Sequence, residues 1–252
     1  MLKTAPPTTN ISSKLFMLPG FLNTTSVDTM WTRDAGKGWT YTQKRDNVEA
    51  PLFGYKTDWS VPVKEAALNR PVYAGLNYVR HPYGSAAAYG SVVLTFVPAV
   101  TQRVTIIHAD TFSSSFGLTD GTPTDDQIFG VKKKIATIAQ VETIMANMSK
   151  NQLKALMEYT LTRYNYTEHP PNYVEIHVQG GLEWQRDLLE ISVATSGATS
   201  LASESKGVTG GEAAVKAKIK EFAEKFDVTA KVYDVERVTE VLNTGGRSAR
   251  VA

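Results

Sequence analysis

Arg70, Tyr73, Arg80, His81, Ser85, Tyr89 and Ser91 crowd into one short stretch, RPVYAGLNYVRHPYGSAAAYGS. They sit at the ends of two apolar runs, 72–78 and 91–97, and on the His-Pro-Tyr-Gly-Ser turn between them. Runs rich in Val, Tyr and Phe with Gly and Pro at their borders read as strands. A second stretch, NYVEIHVQ over 172–179, puts a carboxylate and an imidazole two residues apart on another predicted strand. Strand alternation places Tyr173, Glu175, His177 and Gln179 on one face and Val174, Ile176 and Val178 on the other. A carboxylate inside an apolar strand needs a compensating environment. Two readings are open. The polar face is solvated, or it is a cleft wall in which Glu175 acts as a base or stabilises a cation. In the second reading Arg70 supplies the opposite charge and an anion-binding fork. We expect the two stretches to meet.

Other groups offer different chemistry. His108-Ala-Asp110 and Glu175-Ile-His177 each place two possible ligands on one face of a strand, so His108, Asp110, Glu175 and His177 could together serve a metal-dependent or histidine-based hydrolase or nuclease. The histidines fit no HExxH motif, and the chain lacks a P-loop, a GxGxxG fingerprint and a GxSxG nucleophile elbow. The absence of cysteine excludes thiol catalysis, disulfides and cysteine-based zinc sites. No metal site is assigned. Trp31, Trp39 and Trp59 admit core packing or an aromatic ligand platform, hence a third, non-enzymatic reading as a partner-binding module. Lys132-Lys133-Lys134 reads as a solvated helix face.

The elements that must position these groups are a mixture. Residues 102–110 read as a strand with Val104, Ile106 and His108 on one face, and 112–124 as a long loop. Thr124-Asp-Asp-Gln127 and Ser149-Lys-Asn-Gln152 are capping-box starts of two helices. The first would bury Ile128, Val131, Ile135, Ile138 and Met145; the second, Leu153, Leu156, Met157, Leu161 and Tyr164. A short helix is expected over 61–69, short strands and loops around Trp39–Gln43, a Gly180-Gly181 turn, and strand structure over 182–193. An amphipathic helix over 212–226, with Val215, Ile219, Phe222 and Phe226 inward, precedes a strand over 228–235 and a short helix over 236–242. The predicted class is α+β, with a mixed, mostly antiparallel sheet and several flanking helices. Expected organisation is a flexible leader over 1–26, a main α+β domain over 27–194, a flexible loop or linker over 195–211, and a helix-strand-helix packed on the main domain over 212–252.

Part of this pattern resembles an uncharacterised bacterial domain family. That family runs from an Arg-Pro-x-Tyr-Gly strand through a Tyr/Phe-Gly-Ser strand and an Arg-x-Thr-Phe element to a Tyr-Val-Glu-x-Gln-x-His-Gly strand with a downstream Asp. Arg70, Tyr73, Tyr89-Gly90-Ser91, Arg103, Tyr173-Val174-Glu175 and Asp187 match it. Ala74 stands where glycine is expected, and His177 and Gln179 are exchanged. More distantly, the order arginine, aromatic-Gly-Ser, glutamate resembles the ADP-ribosyltransferases. That resemblance implies an ADP-ribosyltransferase-like fold and NAD as substrate. Arg70 would hold the NAD phosphates, and Ser91 would shape the nicotinamide pocket with Tyr89 stacking on the ring. Glu175 would stabilise the oxocarbenium-like ribose. Tyr73, His81, Gly90, His177 and Gln179 complete the expected pocket. No Ser-Thr-Ser triplet follows the aromatic, and Tyr173 replaces the second glutamate of the Glu-x-Glu enzymes, so NAD hydrolysis stands beside transfer to a macromolecular acceptor. The resemblance implies a bacterial toxin or effector, in the bacterial cytoplasm or secreted or injected into a target cell.

A net charge of +2 gives no electrostatic case for nucleic acid. No apolar run reaches the ~18 residues of a membrane span, and the N-terminal residues lack the apolar core of a standard signal peptide.

Overall fold

The computed structural model describes residues 2–27, 39–61, 66, 70–112, 116–118, 122–160, 173–195 and 205–233. Its strands are β1 (Pro7–Ile11), β2 (Val72–Leu76), β3 (Val92–Phe96), β4 (Val104–Ile107), β5 (Val174–Val178), β6 (Leu188–Ala194) and β7 (Thr229–Tyr233). They form one seven-stranded sheet in the order β4-β5-β2-β1-β3-β6-β7. Every pairing is antiparallel except the parallel β6–β7 edge. The helices are α1 (Ser13–Phe16), α2 (Trp39–Phe53), α3 (Asp125–Lys132), α4 (Val141–Asn147), α5 (Lys150–Thr160), α6 (Trp184–Asp187) and α7 (Gly211–Phe226). This is the α+β class expected from the sequence. None of the described helices is long and apolar enough to cross a membrane.

The largest correction concerns the N-terminus. Residues 7–11 are not a flexible leader but the middle strand of the sheet, paired with β2 through Thr8↔Gly75 and with β3 from Thr8↔Thr95 to Ile11↔Val92. Pro7 is tolerated as the first residue of the strand, where its missing N–H costs least. The expected domain limits fall with it, because one sheet carries strands from the supposed leader, the main segment and the C-terminal segment.

Alternation along the strands separates two cores. On one face Val72, Ala74, Leu76, Val92, Leu94, Phe96, Val174, Ile176 and Val178 pack with Trp184 and the inward stripe of α7, Val215, Ile219, Phe222 and Phe226. Phe222 lies against Trp184, Phe16 and Phe226 with ring centroids 5.6, 5.9 and 4.7 Å apart, mutual orientations that suit aromatic quadrupoles. On the opposite face a smaller core joins Val48 and Leu52 of α2, Ile107 of β4, and Ile128 and Val131 of α3. Tyr73, Glu175 and His177 alternate onto that side.

Other expectations divide. Both capping boxes form: Thr124 and Gln127 close α3 reciprocally, as do Ser149 and Gln152 for α5. Residues 39–53 are helical rather than short strands and loops. The helix expected from 124 onward is interrupted after Lys132, where Ala136 exchanges backbone hydrogen bonds with Ile106 and extends the sheet edge. Met145 and Met157 are exposed, not buried. Gly180 and Gly181 turn the chain at positive φ, and one helical turn, α6, precedes β6. The predicted helix over 61–69, most of the 195–211 linker, the 236–242 helix, and Trp31, Leu161 and Tyr164 lie outside the described residues.

Candidate functional site

The two stretches that carry the polar groups do meet. β2 and β5 are neighbours, with Tyr73 opposite His177 and Gly75 opposite Glu175. A cleft of about 120 Å³ opens over this register, lined by Arg45, Tyr73, Gly75, Tyr89, Asp110, Phe112, Tyr173 and Glu175 among others.

Glu175 lies at the cleft floor, buried, with its carboxylate held from several sides. Oε1 accepts from the Thr111 amide at 2.9 Å, from the Thr111 hydroxyl, and from His177 Nε2 at 3.0 Å; Oε2 accepts from the Tyr173 hydroxyl at 3.1 Å. His177 is wholly buried beneath it. Its Nδ1 meets the Thr105 hydroxyl at 3.1 Å, and because the Glu175 carboxylate can only accept, Nε2 is the nitrogen that carries the proton towards it. Its ring is wedged between Phe53 and Tyr73, centroids 4.7 and 5.3 Å away. His177 therefore orients Glu175 from below the cleft.

Asp110 is the second carboxylate lining the cleft. Its Oδ1 accepts from the Phe112 amide at 2.7 Å and its Oδ2 from the Tyr89 hydroxyl at 3.4 Å. Burial, and then the negative charge of Glu175, push its pKa above the ordinary value. Burial raises Tyr73, Tyr89 and Tyr173 as well, reinforced by neighbouring carboxylates, so all three phenols stay protonated donors at neutral pH. Arg45 of α2 brings positive charge to the cleft wall. Its guanidinium lies 4.3 Å from the Phe112 ring centroid and 3.5 Å from Glu49.

Arg70 is not brought into the cleft. It is only 2% exposed and pairs with Asp46 and, at 3.6 Å, with Glu49. Thr57 accepts from it and the Tyr55 ring lies 4.8 Å away. Glu49 in turn accepts from the Tyr73 hydroxyl at 2.9 Å. Asp46, Arg70, Glu49 and Arg45 thus alternate in charge and tie α2 to β2.

The His81–Ser91 turn is also an interior structure. Asn10 of β1 donates to the carbonyls of Tyr83 and Gly90 at 2.7 and 2.9 Å and accepts from the Ala86 amide at 3.1 Å. Ser85 meets the Thr8 hydroxyl at 2.7 Å, and His81 Nδ1 accepts from the Tyr83 amide at 3.1 Å. A Cβ at Gly90 would fall 2.2 Å from the Ile11 backbone, so this glycine serves close packing on β1. Ser91 is buried at the start of β3. Gln179 accepts from the Tyr55 hydroxyl at 2.6 Å, away from the cleft. Of the expected pocket, Glu175, Tyr73 and Tyr89 line the cleft and His177 supports it. Arg70, His81, Gly90, Ser91 and Gln179 do not line it.

Three members of the hydrolase quartet come together, with His177 bonded to Glu175, and His108 stands apart. Asp110 and Glu175 share the cleft, but the His108 ring packs edge-on against Phe116, 5.6 Å away. Among the described residues no three His, Asp or Glu side chains converge on a possible metal position. Arg103 and Asp187 form a structural clasp. Arg103 Nη1 donates to the Gln179 and Gly181 carbonyls, both at 2.6 Å, and Nη2 pairs with Asp187 at 2.7 Å.

Sequence reasoning missed Arg45, Glu49 and Thr111. The first two lie on α2, whose hydrophobic residues show almost no helical periodicity. Thr111 falls between the strand predicted over 102–110 and the loop predicted over 112–124; only its place beside Asp110 hinted at a role. No family model matches this chain, and no curated protein does at a significant level. The two family likenesses therefore rest on the residues alone.

Proposed function

We propose that the protein consumes NAD, cleaving its nicotinamide–ribose bond as an ADP-ribosyltransferase or NAD glycohydrolase of bacterial toxin or effector type. The observation that carries this reading is Glu175, fixed at the floor of an aromatic-walled cleft by Thr111, His177 and Tyr173. Such a carboxylate cannot swing away as positive charge develops on the ribose, so its stabilisation needs no reorganisation. Tyr89, half-exposed at the cleft wall, offers a face for the pyridinium ring, and a stacked cation on tyrosine gains ~0.5–2 kcal/mol. Arg45 replaces Arg70 as the group that would meet the diphosphate. NAD and an unidentified macromolecular acceptor are the partners this reading requires.

The test is nicotinamide release by the purified protein beside Glu175→Gln and Glu175→Ala, with and without cell lysate as acceptor source. Loss of a preorganised charge worth ~3–4 kcal/mol should slow release by roughly 10²–10³-fold. Label transfer to lysate protein would indicate a transferase, and release in buffer alone a glycohydrolase. Absence of release from the wild type in both conditions would overturn the NAD reading and favour the non-enzymatic binding module.

A further inference from the structure

We propose that Asp110 is the group that takes the proton from the attacking nucleophile, so that the two carboxylates of the cleft divide the reaction between them. This rests on the NAD reading above.

Glu175 has little left to offer a proton. Its Oε1 already accepts from the Thr111 amide, the Thr111 hydroxyl and His177, more donors than two lone pairs serve well, and its Oε2 accepts from Tyr173. With three donors on Oε1 and Tyr173 on Oε2, this carboxylate is held as a fixed group facing the cleft, and an incoming nucleophile finds fewer free lone pairs on it than on Asp110. Water or a hydroxyl acceptor attacking the ribose must still lose a proton. Glu49 is occupied by Tyr73, Arg45 and Arg70 beneath the cleft. Among the described residues lining the cleft, Asp110 is the carboxylate that remains.

Its setting suits the task. The Phe112 amide fixes Oδ1 at 2.7 Å, whereas Oδ2 has a long 3.4 Å contact from Tyr89, a half-exposed side chain at the cleft wall. Oδ2 can therefore exchange a loose neighbour for the proton of an incoming nucleophile. The Tyr173 hydroxyl, which donates to Glu175, interacts with Asp110 too and keeps the two carboxylates on one side of the cleft. Burial beside Glu175 makes Asp110 a stronger base than a surface aspartate.

In the reaction the C1′–N bond breaks with its electron pair going to the pyridinium nitrogen, which leaves as neutral nicotinamide. The nucleophile's oxygen forms the new bond to C1′, and its proton passes to Asp110 Oδ2. Asp110 thereby fills a role that the chain's Tyr173 cannot.

The experiment follows NAD consumption by the full chain as wild type, Asp110→Asn and Glu175→Gln, in water and with added sodium azide. Azide is a nucleophile that carries no proton to remove. The Asp110→Asn side chain retains a carbonyl oxygen for the Phe112 amide, so folding is preserved, as circular dichroism would verify. Asp110→Asn is expected to lose about 10²-fold or more of the hydrolytic rate, with azide restoring NAD consumption and yielding the ribosyl azide. Azide should not rescue Glu175→Gln. Wild-type hydrolysis with Asp110→Asn unaffected would overturn this assignment alone. A slow Asp110→Asn that azide does not rescue would also overturn it, making Asp110 a positioning residue. A wild type inert in water, with azide and with cell lysate as acceptor source would overturn both this assignment and the NAD reading.

Discussion

Arg70 is where the structural and the functional readings of this chain part most sharply, and its replacement separates them. Its guanidinium is 2% exposed and lies among Asp46, Glu49, Thr57 and the Tyr55 ring. Removing it by Arg70→Ala leaves Glu49, 1% exposed, with Arg45 at 3.5 Å and the Tyr73 hydroxyl as its named partners. Breaking a buried pair from one side costs about 3–5 kcal/mol, chiefly because the surviving charge stays desolvated. For a chain of this size each kcal/mol shifts Tm by about 2–4 °C, so a fall of roughly 6–20 °C is expected. Arg70→Lys keeps a charge but loses the planar fork and the stacking on Tyr55, and should fall between wild type and Arg70→Ala. Removing Arg70 together with Asp46, as Arg70→Met with Asp46→Asn, leaves the Arg45–Glu49 pair intact and should recover much of the loss, because the charges that remain are paired. The assay is thermal unfolding followed by far-ultraviolet circular dichroism, with nicotinamide release measured on the same samples below the transition. Folded Arg70→Lys should retain release close to wild type. An unchanged unfolding midpoint in Arg70→Ala, accompanied by loss of NAD binding, would refute the structural assignment and return Arg70 to the ligand.

Other contacts yield further outcomes. Asn10→Ala removes the bonds to the Tyr83 and Gly90 carbonyls and the Ala86 amide; with ~1–3 kcal/mol for each buried group left unpaired, a loss of about 3 kcal/mol or more in denaturant unfolding is expected. Deleting residues 1–11 removes β1 from between β2 and β3 and should abolish the cooperative unfolding transition altogether. Arg45→Met keeps apolar packing on Phe112 while deleting a cation of the cleft; it should raise KM for NAD about tenfold with a smaller change in kcat, the signature of lost ground-state binding. Asp110 has a folded-state pKa above its ordinary value of 3.8, so its contribution to stability is complete below that pH and is lost as pH rises through the raised value. Asp110→Asn should therefore raise Tm at neutral pH, by an amount that vanishes towards pH ~3, as thermal melts across that range would report.

Much of the architecture was legible because period-2 alternation survives in β2, β3, β5 and β6, whose buried residues face the large core. The capping boxes at Thr124 and Ser149 were legible for a local reason, since the hydroxyl and the glutamine three residues on satisfy each other. β1 was not. Its sequence, Pro-Thr-Thr-Asn-Ile, has the composition of a loop, and its strand character comes from neighbours at residues 75 and 92–95 that no local window contains. The α2 helix was hidden for the converse reason. Arg45, Glu49 and Asp46 face inward because Arg70 and Tyr73 meet them there, so its inner face reads as polar in sequence. Of the site, the meeting of Tyr73 with the Glu175–His177 strand was readable. The identity of the cleft cation was not, because an arginine beside an apolar strand looks the same whether it faces a ligand or a buried carboxylate.

That ambiguity resolves once the partners of each polar group are known. Asn10 holds the turn between His81 and Gly90, and Asp46 and Glu49 hold Arg70. These residues gathered in one stretch because they build the ledge on which β1 and α2 sit. Gly75 shows how tight the ledge is: a Cβ there would lie 2.2 Å from Ser85 Oγ, so that turn can press onto the sheet only over a bare backbone. The space this leaves beside Gly75 is bounded by Tyr73, Tyr89 and Tyr173 and floored by Glu175. Arg70, His81, Ser85 and Ser91, which looked chemical in sequence, thus shape the cleft from outside, while Asp110 and Arg45, from beyond the end of β4 and from α2, line it beside Glu175. Gly75→Ala separates shaping from chemistry. It should displace Ser85 and narrow the cleft, weakening NAD binding with little change in turnover at saturation. An unchanged KM, with only turnover reduced, would show that the ledge does not set the cleft's width.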